Sequence, residues 1–328
     1  MLDLLGIGNA IVDTDVEVDD SFLQHESLLK GQMTLTDSAR MTQLVDSLGQ
    51  RTMRRCSGGS AANTIYAAQA FGLNTSYACQ LADDENGRHF FREMQDAGIV
   101  TSQISAMNDE QRSGQCLVLV TPDAQRTMCT DLGVSKDFSY ARVNESDLRA
   151  AKCLYIEGYL SASELSSQSA ARSAALANAS STQVALTLSD ISMIEFCRDG
   201  LSAIMGDGVD TLFCNADEAT AWAKTERLDI AISGLRDIAK ELYVALGSEG
   251  AEVCNLEGRW QVGGESVVAV DTNGAGDMFA GACLAARLQG AEAIDAARFA
   301  NRAAARVITQ FGARLPSLTD YQLLRATE

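Results

Sequence analysis

The stretch that most constrains the fold of this chain is residues 270–281, which read Val-Asp-Thr-Asn-Gly-Ala-Gly-Asp-Met-Phe-Ala-Gly. An apolar run of strand type, residues 266–270, leads into it, and a helical pattern follows it. A strand, a turn of small residues and a helix start together predict an anion site. Gly274, Ala275 and Gly276 place little or no side chain over their backbone amides, which the helix dipole makes electropositive.

Asp277 is the unusual residue of this stretch, because a carboxylate beside an anion site repels the anion. One interpretation is structural, since an acid in the first turn of a helix interacts favourably with the helix dipole. The other is chemical: Asp277 takes the proton of a hydroxyl that receives a phosphoryl group. The stretch alone leaves both interpretations open. Its place at a helix N-terminus predicts an ionised carboxylate whose pKa is not raised.

The charge balance limits the partners. The 328 residues include 26 Lys+Arg and 44 Asp+Glu, which gives a net charge of −18. Nucleic-acid binding needs clustered cations, so this balance argues against a nucleic-acid surface. Residues 1–20 have no basic start followed by an apolar core, and no apolar run reaches membrane length. The sequence predicts a cytoplasmic protein that makes no membrane contact.

Cysteine and histidine usage argues against disulfides and structural zinc. The nine cysteines include no CxxC pair, and His25 and His89 are the only histidines. This pattern predicts reduced thiols in a cytoplasmic protein. Six cysteines lie mostly in or beside apolar runs, where a small buried side chain is the expected role: Cys56, Cys79, Cys116, Cys153, Cys214 and Cys254.

The order of the elements favours an α/β fold. Helical stretches separate apolar strands at 153–156, 184–188, 211–214 and 242–246. Repeated βα units of this length predict a doubly wound, mostly parallel sheet with helices on both faces. Two stretches interrupt the alternation, a strand near 13–18 and a β-hairpin of 116–120 with 126–130. They predict a small sheet that covers a site.

The first strand ends in Gly6-Ile7-Gly8, which has the first two glycines of a dinucleotide-binding fingerprint. Ile11 stands where the third glycine belongs, and no helical pattern follows. A dinucleotide site at this turn is therefore excluded.

Two other helix starts carry residues suited to a ligand. Gly58 and Gly59 allow close approach of ligand hydroxyls to the backbone, and Asn63 offers a donor and an acceptor. The simpler alternative is that these small residues pack a helix on the sheet. Residues 215–218 lie where a strand ends and a helix begins, a place where open parallel sheets bind ligands or a metal. The alternative there is a helix N-cap with an acid three residues later.

These motifs together resemble the ribokinase (PfkB-type) family of carbohydrate and nucleoside kinases, and most closely its adenosine-kinase-like branch. The resemblance rests on residues 8–13, on residues 58–60 with Asn63, on residues 215–218 and on residues 271–277. The motifs occur in the order of the family, each at a predicted strand end or helix start. The resemblance covers nearly the whole chain.

The resemblance implies a fold and a reaction. The fold is a large doubly wound α/β domain, residues 1–8, 36–109 and 132–328, with a small β lid formed by residues 9–35 and 110–131. By the same resemblance, Asp277 is the general base that takes the proton of a sugar primary hydroxyl. Gly274, Ala275 and Gly276 are the anion hole for the transferred phosphoryl group. Arg126, in the hairpin, is our candidate for added positive charge on that group; an exposed arginine on an acidic lid is the alternative.

The resemblance also implies binding roles. The sugar hydroxyls are expected to contact Asn9, Asp13, Gly58, Gly59 and Asn63. ATP and Mg²⁺ are implied as cofactors, with Mg²⁺ organised mostly through water by Asn215 and Glu218. Nucleotide contacts are expected from Ala245, Gly247, Ser248, Gly250 and Asn301. A K⁺ ion held largely by backbone atoms is expected near Asp271, Asn273 and Gly312.

The chain departs from the family in the nucleotide turn. Where the family often has threonine before a glycine pair, this chain reads Ala-Leu-Gly-Ser-Glu-Gly over residues 245–250. We therefore expect one hydroxyl contact to the nucleotide phosphates to be missing, unless Ser248 supplies it. No Walker-type loop with its lysine is present, and the family does not use one.

The lid carries the evidence on the acceptor. It contains a helical piece, residues 20–29, as in the adenosine-kinase-like branch. Gln32 can hydrogen-bond a purine edge, and Met33, Leu35 or Tyr159 can cover the purine face. The simpler alternative makes Met33 and Leu35 ordinary lid core.

The predicted function is ATP-dependent phosphorylation of the 5′-hydroxyl of a purine nucleoside, adenosine above all. One alternative is a kinase of a free sugar such as ribose, fructose or a sugar acid. An alternative from another class is a non-catalytic sensor of nucleosides or sugars. The inserted helix of residues 20–29 predicts a monomer, because it would cap the lid edge through which dimeric sugar kinases pair.

Overall fold

The structure is a computed structural model that describes residues 1–104, 111–123 and 125–326. The predicted lid boundary between residues 109 and 110 lies outside these residues. The strands are β1 (Leu4–Ile7), β2 (Ile11–Glu17), β3 (Met33–Leu35), β4 (Met53–Gly58), β5 (Thr75–Ala78), β6 (Val100–Thr101), β7 (Gly114–Val120), β8 (Arg126–Asp131), β9 (Cys153–Glu157), β10 (Gln183–Thr187), β11 (Val209–Asn215), β12 (Ala239–Ala245), β13 (Ala251–Cys254) and β14 (Arg259–Val262).

The α-helices lie between these strands and at the C-terminal end. They are α1 (Asp20–His25), α2 (Ser38–Leu48), α3 (Ser60–Ala70), α4 (Glu85–Asp96), α5 (Glu145–Ala150), α6 (Glu164–Ala179), α7 (Ile191–Phe196), α8 (Arg198–Met205), α9 (Ala216–Ala223), α10 (Leu228–Leu235), α11 (Ala275–Leu288), α12 (Ala293–Val307) and α13 (Leu318–Ala326). Within the described residues, no helix is long and apolar enough to cross a membrane.

Within the described residues, the large sheet has nine strands in the order β14-β13-β12-β11-β10-β9-β1-β5-β6. The strands from β12 to β6 are parallel to their neighbours, and the β13–β14 hairpin is antiparallel. The predicted doubly wound, mostly parallel sheet is confirmed. Its carboxyl edge carries the ends of β1, β9, β11 and β12, which is where open parallel sheets bind ligands.

Two apolar cores cover the two faces of this sheet. One core is built on helices α3, α4, α11, α12 and α13, and the other on the six helices α5 to α10. Phe213 and Tyr243 stack in the first core with ring centroids 5.3 Å apart. Burial of apolar surface on both faces fixes where each strand ends and therefore where the polar residues after it lie.

The small sheet has five strands in the order β3-β8-β7-β2-β4. The predicted β7–β8 hairpin is present and antiparallel. One face of the small sheet packs on α1 and α2 through a third apolar core that includes Phe22, Leu44 and Leu119. The register places Asp13 and Asp15 of β2 on the opposite face.

Three sequence predictions about elements are wrong in detail. Residues 266–270 form no strand but an irregular segment, in which the Val268 side chain is 85% exposed. The helical piece after Asp19 ends at His25 rather than at residue 29. The expected large domain includes residues 36–109, but α2 packs under the small sheet and β4 pairs with β2. The core of the small sheet needs this helix because β2, β7 and β8 present one apolar face that must be covered.

The nine cysteines are free. Among the six singled out above, five are buried and Cys56 is half-buried. Burial raises the pKa of the Cys153 and Cys56 thiols to about 12, which keeps both protonated. These side chains therefore act as small apolar groups.

Candidate active site

Asp277 lies in the first turn of α11, where two side chains of α3 hold its carboxylate. Ser60 Oγ donates a 2.7 Å hydrogen bond to Oδ1, and Asn63 Nδ2 donates a 3.0 Å hydrogen bond to Oδ2. The start of α3 and the start of α11, which are distant in the sequence, therefore form one site. Both donors orient the carboxylate, so that its remaining lone pairs face the cleft.

Burial raises the pKa of Asp277 to about 6, while the hydrogen bonds from Ser60 and Asn63 and the charge of Arg314 oppose that rise. The prediction that this pKa is not raised is therefore wrong. The physical reason is that packing of α11 against α3 removes water from the carboxylate, and this outweighs the helix dipole. At pH 7 Asp277 is mostly ionised and is a stronger base than an exposed carboxylate.

The start of α11 has the shape of an anion cradle. Gly274 caps the helix with φ of 74°, and a Cβ there would lie 2.4 Å from the Cβ of Ala313. A Cβ on Gly276 would meet no atom within 4 Å, so the space in front of this residue is open. The first amides of a helix have no partner within the helix. Gly274 and Gly276 can therefore present backbone donors to a group next to Asp277, whereas the Ala275 amide already donates a 3.3 Å hydrogen bond to the carbonyl of Thr272.

Asp13 and the paired glycines form the opposite wall of the cleft. The Asp13 carboxylate lies directly over Gly58, where a Cβ would come within 2.4 Å of its Oδ2. Gly59 caps α3 with φ of 101°, and a Cβ there would meet the backbone oxygen of Asn9. Burial, followed by the nearby charge of Asp15, raises the pKa of Asp13 to about 7. Only glycine at 58 and 59 permits this approach of Asn9 and Asp13.

Glu157 joins the two walls at the end of β9. It is 0% exposed. Its Oε1 accepts a 2.6 Å hydrogen bond from the amide of Asn9, and its Oε2 accepts a 2.8 Å hydrogen bond from the amide of Ala61. Burial raises its pKa to about 7, against the effect of those backbone donors. Glu157 therefore fixes the turn after β1 relative to the start of α3.

Arg126 of the small sheet reaches across to the segment before α11. Its Nη1 lies 3.0 Å from Asp271 Oδ2, and its side chain is 13% exposed. Asp271 also accepts hydrogen bonds from the amides of Asn273 (3.1 Å) and Gly312 (2.8 Å). Arg126 is thus not an exposed lid arginine. The Asp271 carboxylate therefore links Asn273 and Gly312, the other two residues at which a K⁺ ion is expected.

A cavity of about 500 Å³ opens beside this ion pair. Its lining includes Arg126 and Met128 of β8 on one side and residues 269–273 on the other. The Nε of Arg126 is buried and has no hydrogen-bond partner within the described residues. An anion in this cleft can therefore receive a donor from Arg126.

Asn215 and Glu218 form a capping box at the start of α9. Glu218 is 6% exposed, and its oxygens accept hydrogen bonds from the Asn215 amide (3.1 Å) and Asn215 Nδ2 (2.7 Å). Burial raises the pKa of Glu218 to about 7. Among the described residues, no group of three or more His, Cys, Asp or Glu could hold a metal ion. This pair suits Mg²⁺ held mostly by water and phosphate rather than by a protein cage.

The residues named for nucleotide contacts lie after β12 and along α12. Gly247, Ser248 and Gly250 form a tight turn after Ala245, with φ of 61° at Gly247 and 96° at Gly250. Asn301 is buried, and its Nδ2 donates 3.1 Å hydrogen bonds to the carbonyls of Val262 and Gly263. Its amide nitrogen therefore supports the end of β14.

The residues named for the purine lie at the outer edge of the cleft. Met33 and Leu35 of β3 are 51% and 64% exposed, so neither is lid core. Their register against β8, continued through β7 to β2, places them on the same face of the small sheet as Asp13. Gln32 is exposed at the start of this edge strand. Tyr159 follows β9, and burial, followed by the charges of Asp190 and Asp277, raises its pKa.

Sequence reasoning missed the supporting roles of Ser60 and Glu157 and missed Arg314 altogether. Ser60 stands inside a motif that had been singled out, and a lone acid that ends the apolar run 153–156 was a signal for Glu157. Arg314 had no such signal, because its contacts to Asn63 and Glu93 span 251 and 221 residues.

This α/β fold brings a buried carboxylate, Asp277, and a glycine-rich helix start together in one cleft beside a small sheet, an arrangement that suits phosphoryl transfer to a hydroxyl group. Residues 31–320 match the family model described as pfkB family carbohydrate kinase. The chain belongs to this family.

Individual relatives span both kinds of acceptor. The crystal structure of adenosine kinase from Sinorhizobium meliloti is 31% identical, has a TM-score of 0.84 and covers 99% of each chain. A probable sugar kinase from Rhizobium etli is 28% identical, with a TM-score of 0.89 and coverage of 99% of this chain and 98% of its own. An ATP-dependent ribose-1-phosphate kinase from Halopiger xanaduensis is 28% identical over 89% of this chain and 95% of its own length.

The chain is therefore a kinase that phosphorylates a hydroxyl group of a nucleoside or a sugar, with ATP as the donor. Kinases of this family typically require Mg²⁺. The acceptor itself is a separate question, because the relatives named above differ in it.

Proposed function

We propose that this protein transfers the γ-phosphoryl group of ATP to the 5′-hydroxyl of a purine nucleoside, adenosine first. The observation that carries the reaction is the Asp277 carboxylate, held by Ser60 and Asn63 beside the open cradle at Gly276. A hydroxymethyl group between Asp13 and Asp277 lies within reach of a base on one side and of an anion site on the other.

Asp277 takes the proton of the attacking hydroxyl. Its pKa of about 6 keeps it ionised at pH 7 and places its basicity close to the working pH, where general-base catalysis is most effective. Ser60 and Asn63 donate to the ionised form and so keep the base in position. A loose phosphoryl-transfer transition state asks little of the nucleophile, so positioning and charge supply most of the rate.

The transferred group meets backbone amides and one cation. Gly274 and Gly276 direct helix-start amides at it, and Arg126 supplies positive charge from the small sheet. Mg²⁺, when bound, neutralises charge on the phosphates. Glu218 and Asn215 fit its water shell, because the carboxylate lies at the carboxyl edge of the sheet beside the nucleotide turn.

The preference for a nucleoside rests on the small sheet. Met33 and Leu35 are exposed apolar side chains on the face that carries Asp13. If Asp13 and Asn63 hold the ribose of a nucleoside, its purine ring points outward towards this edge. Met33 and Leu35 can cover that flat ring there. A free sugar has no group that buries them. The adenosine kinase of S. meliloti, 31% identical, agrees with this assignment.

A free-sugar kinase is the second candidate. It is favoured by the similarity to the R. etli probable sugar kinase, which has a TM-score of 0.89. The polar contacts proposed for the ribose serve a free pentose equally well. The two candidates differ in whether the β3 edge contributes to binding.

An acceptor panel separates these candidates. ADP release is measured with ATP, Mg²⁺ and each of adenosine, inosine, cytidine, ribose, fructose and ribose 1-phosphate. We expect the highest kcat/KM with a purine nucleoside. A free sugar or a sugar phosphate with a kcat/KM far above every nucleoside contradicts the proposal. Stabilisation by a nucleoside with no ADP from any acceptor points to a sensor instead.

A further inference from the structure

Arg314 is a buried cation in the segment after α12, next to the start of α11. The side chain is 11% exposed. Two contacts fix this segment to the start of α11 and to the residues before it. The Gly312 amide donates to Asp271, and Ala313 lies against Gly274. The arginine is therefore placed by the same residues that shape the anion cradle.

Three contacts orient the guanidinium. Its Nε donates a 3.0 Å hydrogen bond to Asn63 Oδ1, and its Nη1 lies 2.8 Å from Glu93 Oε1. Its Cζ lies 4.3 Å from the ring centroid of Tyr66. Glu93 is fixed in turn, because its Oε2 accepts hydrogen bonds of 2.9 Å from the amide and hydroxyl of Ser57.

The contact with Asn63 settles the direction of that carboxamide. Because Asn63 Oδ1 accepts from Arg314, its Nδ2 is turned to Asp277 Oδ2. A chain of hydrogen bonds thus runs from Glu93 through Arg314 and Asn63 to the base. Without Arg314, Asn63 could present its oxygen to Asp277, which would repel the carboxylate.

One donor of Arg314 is left over. Its Nη2 is buried and has no hydrogen-bond partner within the described part of the chain. In the planar guanidinium, Nη2 and Nε direct hydrogens along the same edge, so Nη2 points beside Asn63 Oδ1. A buried donor without a partner costs free energy, and an acceptor atom supplied by a ligand removes that cost.

We propose that Arg314 is an acceptor-binding residue whose Nη2 donates a hydrogen bond to a ring hydroxyl of the sugar, while its Nε holds Asn63 towards Asp277. The ligand class is a polyhydroxylated ring, free or part of a nucleoside. This inference rests on the proposed function in one respect, which is that nucleosides are used as the acceptors in its test.

The charge of Arg314 also acts on the base. It opposes the burial that raises the pKa of Asp277, and it acts on Asp13 in the same direction. Removing the charge therefore raises the pKa of Asp277 further. The groups that face Asp277 are Ser60 and Asn63 of α3, Asp13 of β2, Tyr155 and Glu157 of β9, Tyr159 after β9, and Arg314.

The test compares Arg314→Met with a control at a more exposed arginine, Arg172→Met, whose side chain is 65% exposed. Arg172 also stacks on a tyrosine, with Cζ 3.7 Å from the Tyr140 ring centroid, and pairs with Glu145, but on α6. Both variants and the wild type are assayed with adenosine, 2′-deoxyadenosine and 3′-deoxyadenosine. Arg314→Lys keeps the positive charge and removes the paired Nε and Nη2 donors. It serves as the second variant if Arg314→Met does not fold.

We expect Arg314→Met to lower kcat/KM for adenosine on the order of 10- to 100-fold. The loss should shrink about tenfold for the one deoxynucleoside that lacks the contacted hydroxyl. The acid limb of kcat/KM should move to higher pH in Arg314→Met and stay in place in Arg314→Lys. Arg172→Met should match the wild type throughout.

Equal losses for all three acceptors in both Arg314 variants, with an unmoved acid limb, overturn the proposal and leave a purely structural arginine. If the wild type phosphorylates ribose but no nucleoside, the proposed function has failed separately. The same comparison is then made with ribose and its 2- and 3-deoxy analogues, and it decides the role of Arg314 by the same criteria.

Discussion

Four carboxylates around the cleft are held at raised pKa values, which is the main chemical fact at the scale of single residues. Burial is the first cause in each, with pKa values of about 7 for Asp13, Glu157 and Glu218 and about 6 for Asp277. Acids shifted in this way cluster at functional sites, because chemistry needs groups that can change protonation near neutral pH. Asp277 differs from the others in its place beside the anion cradle.

Replacing Asp277 by Asn should remove turnover and retain binding. Ser60 Oγ can accept as well as donate, so the new amide keeps a partner on each side. We expect kcat to fall by roughly 10²- to 10⁴-fold, which is the usual contribution of a general base. Rapid-quench kinetics measures kcat, and calorimetry measures the Kd of the nucleoside. A near-normal kcat would remove Asp277 from the role of base.

Activity of the wild type should fall in acid as Asp277 is protonated. The ionised form is the base, and its pKa is about 6, so kcat/KM should drop tenfold per pH unit well below that value. A pH profile from 5 to 8 with saturating ATP measures the limb. A limb centred near pH 4 would show that burial does not raise this pKa.

Replacing Glu157 by Gln should destabilise the protein. Both carboxylate oxygens accept from backbone amides, and a glutamine amide nitrogen must face one of those donors. We expect the free energy of unfolding to fall by about 1–3 kcal/mol, measured by urea titration. Glu85→Gln, at a carboxylate that is 76% exposed, is the control and should change it by less than about 0.5 kcal/mol. An unchanged midpoint for Glu157→Gln would contradict the account.

At the scale of elements, local sequence predicts helix starts well and irregular segments poorly. The sequence allows Thr36 or Asp37 to cap α2 and Gly49 to end it; in the structure Asp37 accepts from the Arg40 amide as the N-cap and Gly49 is the C-cap. These signals work because capping is a contact between near neighbours. Residues 266–270 were read as a strand because they are apolar, but no neighbouring strand pairs with them. An apolar run indicates that a segment favours burial. It does not show whether a neighbouring strand is available to pair with that segment.

The β3 edge offers a prediction at this scale. Leu35→Ser should raise KM for adenosine several-fold and leave KM for ribose unchanged, because only a purine can reach an apolar side chain at that edge. Leu323→Ser is the control, since Leu323 of α13 is 63% exposed and Leu35 is 64% exposed. Steady-state kinetics with both acceptors measures the difference. Equal effects on KM for adenosine and for ribose would show that the purine ring does not bind at the β3 edge.

At the scale of the whole molecule, a mostly parallel sheet and a second, small sheet follow from the sequence pattern, while the strand order and the assembly of the site do not. Two of the four motifs, residues 8–13 after β1 and residues 215–218 after β11, could be placed at one sheet edge, because parallel strands share their carboxyl ends. The partners of those motifs could not be placed. Arg314 meets Asn63 across 251 residues, and only the packing of α11 and α12 on the sheet brings them together.

³¹P NMR of the product formed from ATP and adenosine identifies the oxygen atom that receives the phosphoryl group. The proposed reaction brings the 5′-hydroxyl to Asp277, so we expect ADP and adenosine 5′-monophosphate in equal amounts. Phosphate on the 2′- or 3′-oxygen, or adenosine left unconsumed while ribose is phosphorylated, would contradict it.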